Sequence, residues 1–489
     1  MNIARNFINT AQRVPDKPFL IGSDDSEITY RKMYSLARKF ASMLRDEGVE
    51  PNDRVIITFP NSVEYFICYL GALFNSCTAL LVDFRTRPQH LDYFRTNGEV
   101  KRWITPKQRP EYQDIPGQLL FPENLESYSE LAEEELCATD NPIALIMYTS
   151  GSTGVPKGVC LSHDNLQHTI KSITSWANID EDDRELTTLS LTHLFGLAHV
   201  HIYWTNGGTV YIKEKLQRIP KLLQQLTDWK ITSFPGTPGG FKMILDQHQD
   251  QFREHGKNLK YIIINSAPMS PEYVQKMLDT LPNTKIYMYY GLTEASRSSY
   301  ICYNDHRDKL ATVGRPSPGA SIIIGTPDKS IINETGEILI NGPHVTEGYL
   351  GIDSSEYFDD GWLKTGDSGC MDDDGFITWE GRIKEQINID GLKLTPMEVE
   401  EILMEHERVK DCAIVGAPDP LTGESIAGFV VVEGESDKKL EIELRKFCKG
   451  KLEVYKIPKQ IIFIDEIPRT DSGKTKRMQL KEKLSGEKK

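Results

Sequence analysis

No Cys-x-x-Cys pair occurs among the eight cysteines of this 489-residue chain. Cys68, Cys77, Cys137, Cys160, Cys302, Cys370, Cys412 and Cys448 stand far apart, which argues against a structural zinc site and fits reduced thiols in a cytoplasmic protein. Basic excess is absent too: the net charge is −14, so the overall balance gives no footprint for nucleic acid. The lysine-rich stretch from Lys474 to Lys489 reads as a solvated tail or helix face. No apolar run reaches membrane length, because Pro60, Asn61, Glu64 and Asn75 interrupt the stretch from Val55 to Val82. Residues 1–10 carry Arg5 without an apolar segment, so no secretory leader is expected. Internal repeats and low-complexity segments are missing, and so is a P-loop. The one Gly-Lys-Thr, at Gly473, has Pro468 where that motif needs its first glycine. What is present is ordinary: 39% apolar, 9% aromatic and 26% charged residues, enough for a sizeable core shared by roughly two to four domains.

Apolar periodicity then alternates between strand and helix. Thr29 to Glu47 reads as an amphipathic helix with Met33, Leu36, Ala37, Phe40 and Leu44 on one face. Arg54–Phe59 and Ala79–Val82 read as strands around a helix from Glu64 to Phe74. The pattern returns with strands at 186–191, 209–212, 259–265 and 285–289 and helices at 219–228 and 271–281. Such alternation predicts parallel β/α units. From Gly314 short strands joined by Gly, Asp and Pro turns (321–324, 336–340, 376–379) predict a barrel-like β-rich subdomain over about 314–380. Beyond Gly381, helices at 395–405 and 438–448 with strands at 409–416, 426–432 and 460–464 predict a small α+β domain.

One segment stands out chemically. Between Thr149 and Gly158 lie three glycines and four Ser/Thr hydroxyls, directly after the apolar strand 143–147 and around Lys157. Glycine lets the backbone approach an anion closely, and hydroxyls and amides hydrogen-bond phosphate oxygens. A Gly/Ser-rich loop by itself is also a linker. The strand before it and the lysine within it argue for a phosphate cradle.

Tyr148-Thr-Ser-Gly-Ser-Thr-Gly-Val-Pro-Lys-Gly158 resembles the signature loop of the acyl-adenylate-forming, AMP-binding superfamily, which includes acyl-CoA synthetases, peptide-synthetase adenylation domains and firefly-type luciferases. Four more segments resemble that family's motifs, in the family's order: Tyr290-Gly-Leu-Thr-Glu294, Trp362-Leu-Lys-Thr-Gly-Asp367, Gly381-Arg-Ile-Lys384 and Pro468-Arg-Thr-Asp-Ser-Gly-Lys474. The resemblance spans almost the whole chain. It implies an α/β fold with a large N-terminal domain of β/α layers (1–382), containing the β-rich subdomain, and a small mobile C-terminal α+β lid (383–489) hinged at Lys384.

It also implies roles. Thr149, Ser150, Gly151, Ser152, Thr153, Gly154, Lys157 and Thr293 would handle phosphates, Glu294 a magnesium ion, Asp367 the ribose hydroxyls, and Arg382 ribose and phosphate. Ala267, Tyr290 and Gly291 would flank the nucleotide. Lys474 would bridge the attacking carboxylate and the nucleotide oxygens. His193, Phe195, Gly236, Thr237, Asn265, Tyr289 and Arg297 would line the acyl pocket, with His193 counted among the catalytic groups. The chemistry is self-consistent: attack of a carboxylate on the α-phosphorus of ATP builds charge on phosphoryl oxygens, where cations and a divalent metal belong.

The implied activity is ATP-dependent acid–thiol ligation with ATP, Mg²⁺ and coenzyme A. A carrier protein's phosphopantetheine arm is the alternative acceptor, and a non-catalytic nucleotide sensor is the alternative class. No aspartate lies between Thr192 and Ala198, which disfavours an α-amino acid substrate. The polar groups His193, Thr237, Asn265 and Arg297 favour a short or medium acid with polar substituents over a long saturated one. Arg297 admits two readings, a guanidinium facing solvent or a nearby acid, and a reader of a second carboxylate.

Overall fold

The computed structural model describes residues 2–139, 141–149, 156–213, 216, 218–389, 392–419, 423–449, 451–470 and 473–485. It divides into two compact units: Met1–Ile322 with Ile340–Leu363, and Ile323–Leu339 with Lys364–Lys489. Contacts thus group the short strands around 323–339 and 364–382 with the C-terminal residues.

The first unit is built on two sheets flanked by helices. In one, the described strands run in the order Arg315–Pro316, Ser299–Cys302, Lys285–Tyr290, Tyr261–Ile264, Ser233–Gly236, Arg184–Thr187, Thr209–Ile212, Pro18–Ile21 and Glu27–Thr29. The six from Lys285–Tyr290 to Pro18–Ile21 are mutually parallel, and the strands at both edges return antiparallel. The other sheet runs Gly348–Tyr349, Lys157–Ser162, Ile143–Thr149, Thr78–Leu81, Arg54–Ile57, Arg102–Thr105 and Gln118–Leu120.

Most expected elements are present within a residue or two, and Ile219–Asp228 has the expected bounds. Thr29 caps its helix by accepting from the Lys32 amide, so the helix proper is Tyr30–Asp46. Two departures from expectation bear on the site. The strand expected at 186–191 occupies Arg184–Thr187, because 188–193 turns away to start the helix Leu194–Asn206. That helix is apolar on nearly every side and carries no amphipathic period. The core explains it: Leu197, Val200, Ile202, Tyr203 and Trp204 are fully buried, with Trp204 against Phe7 and Tyr69. Each such side chain contributes on the order of 1.5–3 kcal/mol of burial.

In the second unit, Thr335–Asn341 lies between Ser321–Thr326 and Trp362–Met371, and Trp362–Met371 pairs antiparallel with Ile377–Arg382. Farther on, Val409–Asp419 and Gly423–Val432 form a long antiparallel pair extended by Ile387–Ile389 and by the parallel strand Gln460–Phe463. The helices Pro396–Met404 and Lys438–Lys449 cover it through Val399, Leu403, Leu440 and Leu444.

Candidate active site

Parallel sheets place ligands in the crevice beyond the carboxyl ends of their strands. Four neighbouring parallel strands of the first unit end in residues singled out in the sequence. Arg184–Thr187 leads to His193 and Phe195, Ser233–Gly236 to Gly236 and Thr237, Tyr261–Ile264 to Asn265 and Ala267, and Lys285–Tyr290 to Tyr289, Tyr290 and Gly291. Adjacent ends are tied together, since the Asn265 amide donates to the Tyr289 carbonyl at 2.7 Å. Phe195 stands edge-on to Tyr289 at 5.7 Å between centroids. Burial pushes the Tyr289 hydroxyl's pKa up to about 12, so it is a neutral donor.

The remaining pocket candidates take varied positions. His193 is exposed at the N-terminus of the helix Leu194–Asn206. Thr237 uses its hydroxyl to cap the helix Pro238–Gln247, accepting from the Gly240 amide. Ala267 is exposed, and Gly236 and Asn265 are half-buried. Gly291 has no room for a side chain: a β-carbon there would meet the Arg297 amide nitrogen at 2.5 Å. The chain from Tyr290 to Arg297 therefore folds tightly on itself, with Leu292 and Ala295 exchanging backbone hydrogen bonds. Arg297 is buried, with 1% of its surface exposed, so the solvent-facing reading is corrected.

Of the glycine- and serine-rich loop, Ser150, Gly151, Ser152, Thr153 and Gly154 lie outside the described residues. Its two ends are a hairpin: Thr149 pairs with Lys157 in the ladder of Ile143–Thr149 and Lys157–Ser162. Lys157 is anchored by two tyrosines that the sequence reading missed. Its ammonium donates to the Tyr357 hydroxyl and lies 4.3 Å from the Tyr357 ring centroid and 5.5 Å from that of Tyr349. Tyr349 in turn donates its hydroxyl to Glu294 Oε1 at 2.8 Å. A two-residue strand, Gly348–Tyr349, brings this tyrosine beside Val159 and Cys160. Loop lysine and Thr-Glu motif thus meet through one aromatic residue. The two-residue strand has no periodicity from which to read it.

Glu294 is half-buried, as is Thr293 beside it, and among the described residues no cation pairs with Glu294. Magnesium keeps most of its waters and takes one or two carboxylates. A lone carboxylate oriented by a tyrosine suits that ion, and among the described residues no cluster of three or more His, Cys, Asp or Glu competes for it.

The second unit carries the other motifs. Asp367 and Arg382 are direct cross-strand partners, and Arg382 Nε lies 2.9 Å from Asp367 Oδ1. Arg382 also donates to the Thr365 carbonyl at 2.8 Å, and the Thr365 hydroxyl accepts from the Asp367 amide at 3.0 Å. Gly366, within the strand Trp362–Met371, adopts φ +69°, a left-handed conformation that glycine takes without steric cost. Lys384 is exposed in a single 3₁₀ turn, Ile383–Glu385. Lys474 is exposed on a turn closed by Thr470 N–H to Lys474 O at 2.7 Å and Lys474 N–H to Thr470 Oγ1 at 3.0 Å.

The AMP-binding enzyme family matches residues 7–350, and the AMP-binding enzyme C-terminal domain matches 398–474. The chain belongs to the AMP-binding enzyme family. It is 29% identical to the oxalate–CoA ligase of Arabidopsis thaliana, over 96% of each chain. It is 28% identical to a long-chain-fatty-acid–CoA ligase of Bacillus subtilis, over 97% of this chain and 93% of the relative. The structure of o-succinylbenzoate CoA synthetase from Bacillus subtilis, in complex with its acyl-adenylate intermediate, superimposes with a TM-score of 0.88 at 25% identity over 97% of each chain. Among the described residues, no helix is long and apolar enough to cross a membrane.

Proposed function

We propose that this chain activates a carboxylic acid with ATP, releasing pyrophosphate and forming an acyl-adenylate, and then transfers the acyl group to the thiol of coenzyme A. The observation that carries the reading is the junction of Lys157, Tyr349 and Glu294 in the first unit. It gathers a phosphate-binding cation and a metal-binding carboxylate from motifs far apart in the chain. Lys157 would hold pyrophosphate oxygens, Glu294 would hold magnesium, and Asp367 and Arg382 would hold the ribose. A bound magnesium ion supplies charge neutralisation on the phosphates. Curated relatives named as CoA ligases support coenzyme A as acceptor and lend no support to a carrier protein. Two chemical steps at one nucleotide site require the C-terminal residues beyond Arg382 to change face, with Lys384 as pivot.

The deciding experiment is a pyrophosphate-release screen over a carboxylic-acid panel, with coenzyme A and a holo-carrier protein added separately. Short or medium polar acids with coenzyme A are expected to give the highest turnover. Strongest turnover on C14–C18 saturated acids would overturn the substrate reading, and release without thioester formation would overturn the acceptor.

A second measurement tests the tyrosine. Tyr349→Phe removes the hydrogen bond that orients Glu294 while leaving the ring against Lys157. Such an orienting bond to a charged group is worth about 1.5 kcal/mol, so the magnesium concentration for half-maximal pyrophosphate release should rise about tenfold. An unchanged magnesium titration would remove Glu294 from the metal.

A further inference from the structure

We propose that Arg297 is the specificity-determining residue of the acyl pocket and selects a carboxylic acid that bears a second, distal carboxylate. This rests on the carboxylate-activating reading above and names its substrate class.

The guanidinium is buried in an unusual state for an arginine. Arg297 has 1% of its surface exposed, yet among the described residues no carboxylate lies within ion-pair distance of it. Of its five N–H donors, Nη1 gives one to Ser296 Oγ at 2.7 Å and Nη2 gives a long one to the Phe195 carbonyl at 3.5 Å. Nε has no partner among the described residues. A buried arginine is ordinarily satisfied by an acid, because removing its charge from water is costly. Glu185, fully buried on the strand Arg184–Thr187, accepts at Oε2 from His199 Nδ1 at 2.8 Å and from the Ser233 hydroxyl at 3.2 Å, while its Oε1 has no hydrogen-bond partner among the described residues. It acts on Arg297 only through space.

Backbone geometry points the same way. Arg297 has φ +64°, the left-handed region that a long side chain rarely adopts. Strain of this kind persists where the surroundings impose it, and it clusters at ligand clamps. Here it follows from the tight turn after Glu294, and it leaves the guanidinium 4.7 Å from the centroid of the Tyr289 ring. Tyr289 is the residue that Asn265 and Phe195 contact at the carboxyl ends of the parallel strands. Phe195 and Asn265 are half-buried, so solvent reaches this end of the strands beside Tyr289. An acyl chain lying along Phe195 and Tyr289 ends at a planar cation with free donors. A carboxylate matches that fork bidentately, whereas a methyl terminus would leave it unsatisfied.

The test compares straight-chain dicarboxylates from malonate to suberate with monocarboxylates of equal length. Two readouts are used: pyrophosphate release with ATP, and the shift in thermal midpoint produced by each acid alone. Wild type should favour one dicarboxylate over its monocarboxylate by about 10- to 100-fold in kcat/KM, the range of a charge-assisted hydrogen-bonded pair. In Arg297→Met that ratio should collapse toward unity and the dicarboxylate-induced thermal shift should vanish. Arg297→Lys, which keeps the charge but not the fork, should fall between and guards against a merely misfolded Met variant. Adenylation of monocarboxylates at least as fast as of dicarboxylates in wild type overturns this proposal while the function stands. Retention of the dicarboxylate preference in Arg297→Met also overturns it. A thermal shift by a dicarboxylate that depends on Arg297, without any pyrophosphate release, supports the anion site and defeats the ligase reading instead.

Discussion

Lys474→Ala is expected to slow adenylate formation by about 10²-fold or more, the scale of losing one preorganised group that meets developing transition-state charge. Thioester formation from supplied acyl-adenylate and coenzyme A should survive. The turn that presents Lys474 is held by several contacts other than those of the lysine side chain. It is closed by backbone and Thr470 contacts, Gly473 takes the left-handed conformation at φ +85°, and Arg469 grips Asp411 with two bonds of 2.8 and 2.9 Å. An exposed substitution there should leave stability within about 0.5 kcal/mol, so a rate loss reports chemistry. Separate assays of the two half-reactions check it. Equal loss in both would sink the division of labour between the steps.

Lys384→Pro should do the reverse: thioester formation should fall by about 10²-fold, the cost of a small misplacement of reacting groups, while pyrophosphate release stays within a few-fold of wild type. Lys384 occupies a lone 3₁₀ turn between the Ile377–Arg382 and Ile387–Ile389 strands, preceded by Gly381 at φ +138°. Its side chain is exposed, and the substitution changes the backbone of the turn. Proline locks φ near −65° and removes an amide donor. If the residues beyond Arg382 must rotate between the two steps, a locked pivot halts the second. The neighbouring anchor is independent of the pivot residue: Arg477 binds both Glu385 and Glu400. Stopped-flow transfer from preformed adenylate measures the effect, and unchanged thioester turnover rules out the alternation.

Much of the molecule was legible before any coordinates, and for physical reasons. Local signals wrote the amphipathic helices: the apolar stripe Met33–Ala37–Phe40–Leu44 and the bounds of Ile219–Asp228. Apolar runs closed by turn residues marked the strands Tyr261–Ile264 and Lys285–Tyr290 within two residues and Gly423–Val432 within three. Residue chemistry, read with the family resemblance, nominated Lys157, Glu294, Asp367 and Arg382 without saying what holds them. Where the signal was non-local the reading stopped. The helix Leu194–Asn206 is buried along most of its length and on nearly every side, so it carries no period to detect. Lys157–Ser162 was not read as a strand, since its partner is the antiparallel hairpin arm across the glycine-rich loop.

Periodicity by itself determined the fold class, and motif order read with the family resemblance nominated the phosphate- and metal-binding groups, because those depend on local pattern and on which atoms can meet charge. Tertiary structure alone decided that Tyr349 links Lys157 to Glu294, that Asp367 and Arg382 are cross-strand partners, and that Arg297 is buried with no acid in ion-pair reach among the described residues. Each of these is a contact made across sequence or a burial imposed by other elements. A side chain's neighbours and its access to water are properties of the packed chain, and no local pattern encodes them.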